Sequence, residues 1–254
     1  MGTVQFDFSG EVVLVTGGSR GLGLEIAEQF GRAGASVVIT ARREQWLSEA
    51  EQQLRNQGIV VQALTCDVSD LAAVERVVGQ ALDRCGKIDV LVNNAGLTWG
   101  TPAEQMPLER WRQVLDANIT GTFLMSQVVG RHMLAREKGS IINVASIAGL
   151  SGGQLNTAGY NASKAAVINL TRALAVEWGA HNIRVNAIAP GLFRTRMTAG
   201  IIAMGAETMV ANTAPLGRIG RPGEIGPVVL FLASEAASYI TGQTVPIDGG
   251  STAR

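Results

Sequence analysis

Val12-Val-Leu-Val-Thr16, followed at once by Gly17-Gly-Ser-Arg-Gly21-Leu-Gly23, is the stretch whose reading decides the fold. An unbroken apolar, β-branched run of this length is the pattern of a parallel strand buried on both faces. The glycines come next, and a helical pattern from Leu24 to Arg32 follows them. Strand, glycine turn and helix in that order can make a phosphate site: glycines let the backbone approach a pyrophosphate, whose charge then rests on N–H groups at a helix N-terminus. Gly17, Ser19, Arg20, Gly21, Leu22 and Gly23 are the candidate contacts. The spacing, Gly17-xxx-Gly21-x-Gly23, departs from G-x-G-x-x-G, and by itself it also describes a tight strand-to-helix turn.

Working outward, Ser36–Ala41 reads as a second strand, with Arg42 and Arg43 opening a helix that ends near Gln57. An acid about 20 residues after the glycines would hold a ribose 2′-OH, whereas an arginine accommodates a 2′-phosphate. Thr40-Ala41-Arg42 offers no acid and Arg20 can reach the same phosphate, so the expected cofactor is NADP(H); the bland alternative is a solvated helix start. Val60–Thr65 is a third strand, ending in Cys66-Asp67-Val68, where Asp67 and the Val68 amide would meet an adenine edge. Asp89–Val92 is a fourth, closed by Asn93-Asn94-Ala95-Gly96, whose small and amide residues can line a cofactor. Strands and helices alternate, which predicts an α/β doubly wound parallel sheet.

Farther along, 108–136 reads as one long helix with Asn118 at mid-length, a poor helix residue there that marks either a solvated position or a break. Strands are expected over 140–145, 183–189 (ending in Pro190-Gly191) and 244–248, seven in all, with a helix over 224–234. Residues 192–217 carry Phe193, Met197, Ile201, Ile202, Met204, Met209 and Leu216, an apolar excursion placed to act as a lid over substrate. Thr195 would touch the cofactor, and Arg194 and Arg196 could bind an acidic substrate.

The loop after the fifth strand carries the chemistry. Ser146 stands at the strand end, a glycine-rich segment follows, and Tyr160 and Lys164 sit four apart on one helix face. A tyrosine working near neutral pH needs its pKa lowered by roughly 3 units, about 4 kcal/mol. A lysine ammonium at about 4 Å supplies on the order of 4 kcal/mol at an effective dielectric of about 20. Ser146 would hold the reacting oxygen. Taken alone, Tyr160 and Lys164 also describe a helix cap and a solvated lysine.

Composition narrows the classes. The 254 residues, 46% hydrophobic, suffice for one domain over 1–254. Lys+Arg and Asp+Glu are both 21, which argues against nucleic acid or an anionic membrane as partner. Cys66 and Cys85 have no metal-ligand spacing with His132 or His181, so no metal is expected. With no signal-like segment or long apolar run, a cytoplasmic protein is expected.

In order, these motifs resemble the short-chain dehydrogenase/reductase family over almost the whole chain. The family's glycine motif is similar to 16–23, its Asn-Asn-Ala-Gly motif to 93–96, and its Pro-Gly turn to 190–191. Its catalytic Asn, Ser, Tyr and Lys fall on Asn118, Ser146, Tyr160 and Lys164. The resemblance implies a seven-stranded Rossmann sheet and hydride transfer between a nicotinamide and a small-molecule carbonyl or secondary alcohol. Tyr160 would be the acid/base, Ser146 would position the oxygen, Lys164 would bind the nicotinamide ribose, and Asn118 would hold a relay water. Trp99, Gln154 and Phe193 would join Ser146 and Tyr160 around substrate. A homo-oligomer is implied, a tetramer or a dimer, built on the two long helices. The closest-looking members are the gluconate 5-dehydrogenase-like and 3-oxoacyl-(acyl-carrier-protein) reductase-like ones, which suggests a sugar acid or a 3-oxoacyl thioester. A dinucleotide-binding regulatory or scaffolding protein without turnover is the alternative. Two departures stand out: Gly18 where Ala is common, and a Ser146-to-Tyr160 loop one residue longer than usual.

Overall fold

The structure is a computed structural model and describes residues 5–152 and 156–253. Its strands are β1 (Val12–Thr16), β2 (Ser36–Ala41), β3 (Val61–Thr65), β4 (Val90–Asn93), β5 (Gly139–Val144), β6 (Ile183–Pro190) and β7 (Thr244–Ile247). They form one seven-stranded sheet in the order β3-β2-β1-β4-β5-β6-β7, and every neighbouring pair is parallel. The order reverses between β1 and β4, and a doubly wound sheet binds ligands in the crevice at that point.

Why β1 reads as a continuous apolar run is visible in its packing. Val13 and Val15 face a core shared with α1 (Gly21–Arg32), α2 (Glu44–Asn56) and α9 (Gly226–Ala233). Val12 and Leu14 face the opposite core, shared with α3 (Leu71–Cys85), α5 (Gly121–Arg136) and α6 (Ala158–Trp178). Both faces of the strand are covered, so alternation has no use. Asp70 caps α3 by accepting from the Ala72 N–H at 3.0 Å.

Several boundaries differ from the sequence reading, two of them near the site. The helix carrying Tyr160 begins two residues earlier, at Ala158. The single helix expected over 108–136 is interrupted: α4 (Leu108–Leu115) passes through a π turn at Asp116–Thr120 into α5. The expected lid region contains α7 (Ala199–Ala203) and α8 (Ala206–Thr213), hinged at Gly205 with φ +91°.

Candidate active site

The C-terminal ends of β1, β2, β3, β4, β5 and β6 open onto one cleft of about 830 Å³. The glycine turn forms one end, where a Cβ on Gly17 (φ +65°) would lie 2.9 Å from the Ala95 Cα. Asn94 locks this turn to β4: its Nδ2 donates to the carbonyls of Thr16 (3.0 Å) and Gly17 (3.2 Å). Thr16 Oγ1 accepts from the Asn94 and Ala95 amides, each at 3.0 Å. The bare backbone and the free N-terminus of α1 fit a pyrophosphate. Gly23 does not line the cleft; a Cβ there would lie 2.3 Å from Asn94 Nδ2 and 2.4 Å from the Gly17 carbonyl oxygen, so its bareness lets α1 approach the strand. Gly18 has a local cause as well, since a Cβ there would sit 2.8 Å from Ile39 Cγ2.

Of the other expected cofactor contacts, Ser19, Arg20, Gly21, Leu22, Arg42, Arg43, Asp67, Val68, Ala95, Gly96, Pro190, Gly191 and Thr195 all line the cleft. Arg42 lies 3.8 Å from Asp67 across an exposed gap. Sequence reasoning named Arg196 and Met197 only on the substrate side, and it missed Trp46, Leu97, Thr98 and Ala117; all six line the cleft. Trp46 stands three positions after Arg43, one helical turn along, and that spacing was its only signal.

Ser146, Tyr160 and Lys164 meet at the other end. Ser146 precedes a 3₁₀ turn at Ile147–Gly149 and caps it, accepting from the Ala148 N–H at 3.2 Å. That turn is seated on α6: a Cβ on Gly149 would lie 2.5 Å from the Lys164 carbonyl carbon. Lys164 is buried, and its Nζ donates to the Val144 carbonyl at 2.7 Å while standing 5.7 Å from the Tyr160 ring centroid. With no carboxylate beside it, burial pushes the ammonium down to about 8.

The tyrosine differs from the sequence expectation. Burial holds the phenol above its ordinary value, and a hydrogen bond with Ser146 pulls only partly against that. The expected drop of about 3 units counted the attraction of Lys164 and left out the desolvation of both groups. The shift favours the protonated phenol.

Asn118 is fully buried in the π turn and does not line the cleft. Its amide is spent: Oδ1 accepts from the Leu97 N–H (2.8 Å), and Nδ2 donates to the Leu97 carbonyl (2.9 Å) and Ser163 Oγ (2.9 Å). Its backbone carbonyl accepts from Thr122 Oγ1 at 2.7 Å. Buried polar groups that pair this completely hold the irregular turn in place.

Of the expected substrate residues, Phe193 lines the cleft, while Trp99 stands outside it with the Arg110 guanidinium 4.3 Å from its ring. Gln154 lies outside the described residues. Arg194 pairs with Glu207 of α8, and Arg196 turns toward Trp46, so neither arginine is brought to Ser146 and Tyr160. Among the described residues no cluster of three metal-ligating side chains occurs.

Comparison with known proteins gives the same picture over nearly the full length. A family model described as enoyl-(acyl carrier protein) reductase matches residues 17–252. Gluconate 5-dehydrogenase of Gluconobacter oxydans is 36% identical, the match covering 97% of this chain and 96% of that one. The 3-oxoacyl-(acyl-carrier-protein) reductase of Chlamydia pneumoniae is 42% identical over 96% and 97% of the two chains. The crystal structure of a gluconate 5-dehydrogenase from Burkholderia cenocepacia, in complex with NADP and tartrate, superposes with a TM-score of 0.94 at 33% identity, covering 98% of each chain.

Proposed function

The chain belongs to the short-chain dehydrogenase/reductase family, and from that premise we propose that it moves a hydride between NADP(H) and a ketone or secondary alcohol. The observation that carries the reading is the shape of one cleft, with Ser146, Tyr160 and Lys164 at one end and a bare glycine turn ringed by arginines at the other. The bound nicotinamide dinucleotide supplies or accepts the hydride. The rest falls to the chain.

Tyr160, protonated at neutral pH, gives its proton to the carbonyl oxygen during reduction. Ser146 holds that oxygen and the phenol together. Lys164, anchored to Val144, stabilises the phenolate left behind and reaches the nicotinamide ribose. Asn118 keeps the π turn fixed against Leu97. Pro190, Gly191 and Thr195 close over the nicotinamide half. The segment over 192–217 covers substrate.

NADP is favoured over NAD because β2 ends in Ala41 with no acid, and four arginines (20, 42, 43 and 196) line the adenosine end. NADP bound by a relative of the same fold supports this assignment. For substrate, the relatives point to sugar acids or 3-oxoacyl thioesters, and the displaced Arg194 and Arg196 leave recognition of an acid to other residues. The deciding experiment follows NADPH oxidation across 5-ketogluconate, β-ketoesters, acyl thioesters and cyclic ketones, with Tyr160→Phe beside the wild type. At least one ketone should turn over, and Tyr160→Phe should lose turnover by a factor of about 10³ or more while binding NADPH almost unchanged. Near-normal turnover in the variant would overturn the acid/base assignment. NADPH binding without turnover of any ketone would favour a regulatory role.

A further inference from the structure

Three guanidinium groups converge on one indole at the adenosine end of the cleft. Arg20 from the glycine turn, Arg43 before α2 and Arg196 from the lid place their guanidinium carbons 3.6, 4.1 and 4.9 Å from the centroid of the Trp46 ring. Their neighbours Arg42 and Arg194 each have an acid beside them, Asp67 and Glu207. Among the described residues, none of the three around Trp46 has a carboxylate within ion-pair distance. Burial, and then the like charges of Arg196 and Arg43, pull the Arg20 guanidinium below its ordinary value. Charge alone would scatter this cluster; the indole faces gather it through cation–π contact. In a chain with equal numbers of acids and bases, so local an excess of positive charge calls for a multiply charged anion, and planar guanidiniums suit a phosphate.

The three arginines come from three separate segments, and only one of these segments is the lid. Arg196 sits in a tight turn in which Thr198 Oγ1 donates to the Phe193 carbonyl at 2.6 Å and accepts from the Thr195 N–H at 2.9 Å. The same turn meets the glycine loop, since a Cβ on Gly21 would lie 3.6 Å from Thr195 Cβ. Arg194, two residues before Arg196, is tied to Glu207 of α8. Whatever fixes Arg196 therefore fixes the turn and, through Arg194, the second lid helix.

We propose that Arg196, seated on Trp46, reads the 2′-phosphate of the cofactor and couples it to closure of the 192–217 segment. The inference rests on the NADP reading above and adds to it: the phosphate serves to place the lid as well as to add affinity. A dinucleotide lacking that phosphate leaves Arg196 with only the indole to hold it, and the lid less ordered.

Adenosine 2′,5′-bisphosphate and adenosine 5′-monophosphate differ by the 2′-phosphate alone and carry no nicotinamide, so they separate the two ideas without turnover. Affinity is read by calorimetry on the full chain and lid order by amide hydrogen exchange over 192–217. The bisphosphate should bind about tenfold tighter or better, the worth of at least one charge-assisted hydrogen bond. It should also slow exchange in the lid, whereas the monophosphate should not. Arg196→Ala and Trp46→Leu should each abolish the lid protection and keep part of the preference through Arg20 and Arg43; Arg196→Lys should restore protection only in part. Equal lid exchange with both probes, or protection that survives Arg196→Ala, would overturn the coupling while the preference for the bisphosphate stands. Equal affinity for the two probes would remove the NADP reading and the coupling with it.

Discussion

At Lys164 function and stability pull in opposite directions. The residue is 4% exposed, its ammonium has a carbonyl but no carboxylate for company, and burial lowers it from 10.5 to about 8. A lysine whose folded pKa is depressed binds its proton less well folded than unfolded. The penalty is therefore full below about pH 8 and fades as pH rises toward 10.5, so stability gains with pH across that window. Lys164→Met keeps the length of the side chain and removes the charge. Below pH 8 the variant should be more stable than wild type by about 1–3 kcal/mol, the relieved charge less the stranded Val144 carbonyl, and should have no turnover. Thermal or urea unfolding at pH 7 and pH 10 checks this: the gain should shrink at pH 10, and an equal gain at both would show that the lysine pays no burial penalty. The same charge shapes the reaction. Carbonyl reduction should be level at neutral pH and decline as pH rises through about 8, where Lys164 loses its proton. The pairing of Tyr160 with Lys164 was legible in the sequence because a helix puts residues four apart on one face. The direction of the tyrosine shift was not, because desolvation depends on side chains that converge only in the folded chain.

Among the elements, the Ile147–Gly149 turn and the π turn at Asp116–Thr120 do most to fix the site. The first carries Ser146 and rests directly on the backbone of α6, with room for a hydrogen but not a methyl at Gly149. Gly149→Ala puts a carbon 2.5 Å from the Lys164 carbonyl carbon and 2.7 Å from the Ala165 nitrogen. Neither is a flexible side-chain end, so the turn must lift and carry Ser146 away from Tyr160. Stability should fall by about 1–3 kcal/mol, and kcat by about tenfold to a hundredfold, with NADPH affinity little changed. Fluorescence titration beside steady-state kinetics makes the test, and an unaltered kcat would show that Ser146 does not depend on this seat. The sequence marked Asn118 as an odd residue in a helix. It could not show the π turn, whose cause is a two-point bond to Leu97 and a third to Ser163, both distant in the chain. Strands were the opposite case: cover on both faces leaves an unbroken apolar signature that needs no partner to be read.

For the whole molecule, the question is what covers the outer side of the α5 and α6 layer. The sheet side of these helices is fully used, with Met125, Val129 and Met133 of α5 and Leu174 and Ala175 of α6 in one core. Yet Phe123 on α5 remains 40% exposed and Val176 on α6 84% exposed. Burying a Val or Phe side chain is worth about 1.5–3 kcal/mol, so a second copy of the same face would gain from the contact, and a self-complementary patch closes into a symmetric assembly. The apolar stripes of the 160–178 helix carry the same expectation, because a helix apolar on more than one side needs more than one neighbour. Light scattering after size exclusion should give a mass two or four times the 26.6 kDa of one chain. Phe123→Glu combined with Val176→Glu should lower it, since four or more carboxylates would then have to be desolvated in the contact. Melting temperature should fall with the mass, because the folded protomer loses the stabilisation that association provides by mass action. A wild-type mass of 26.6 kDa would mean that both side chains face solvent in the working protein. An unchanged mass in the double variant would move the interface to another face of the fold.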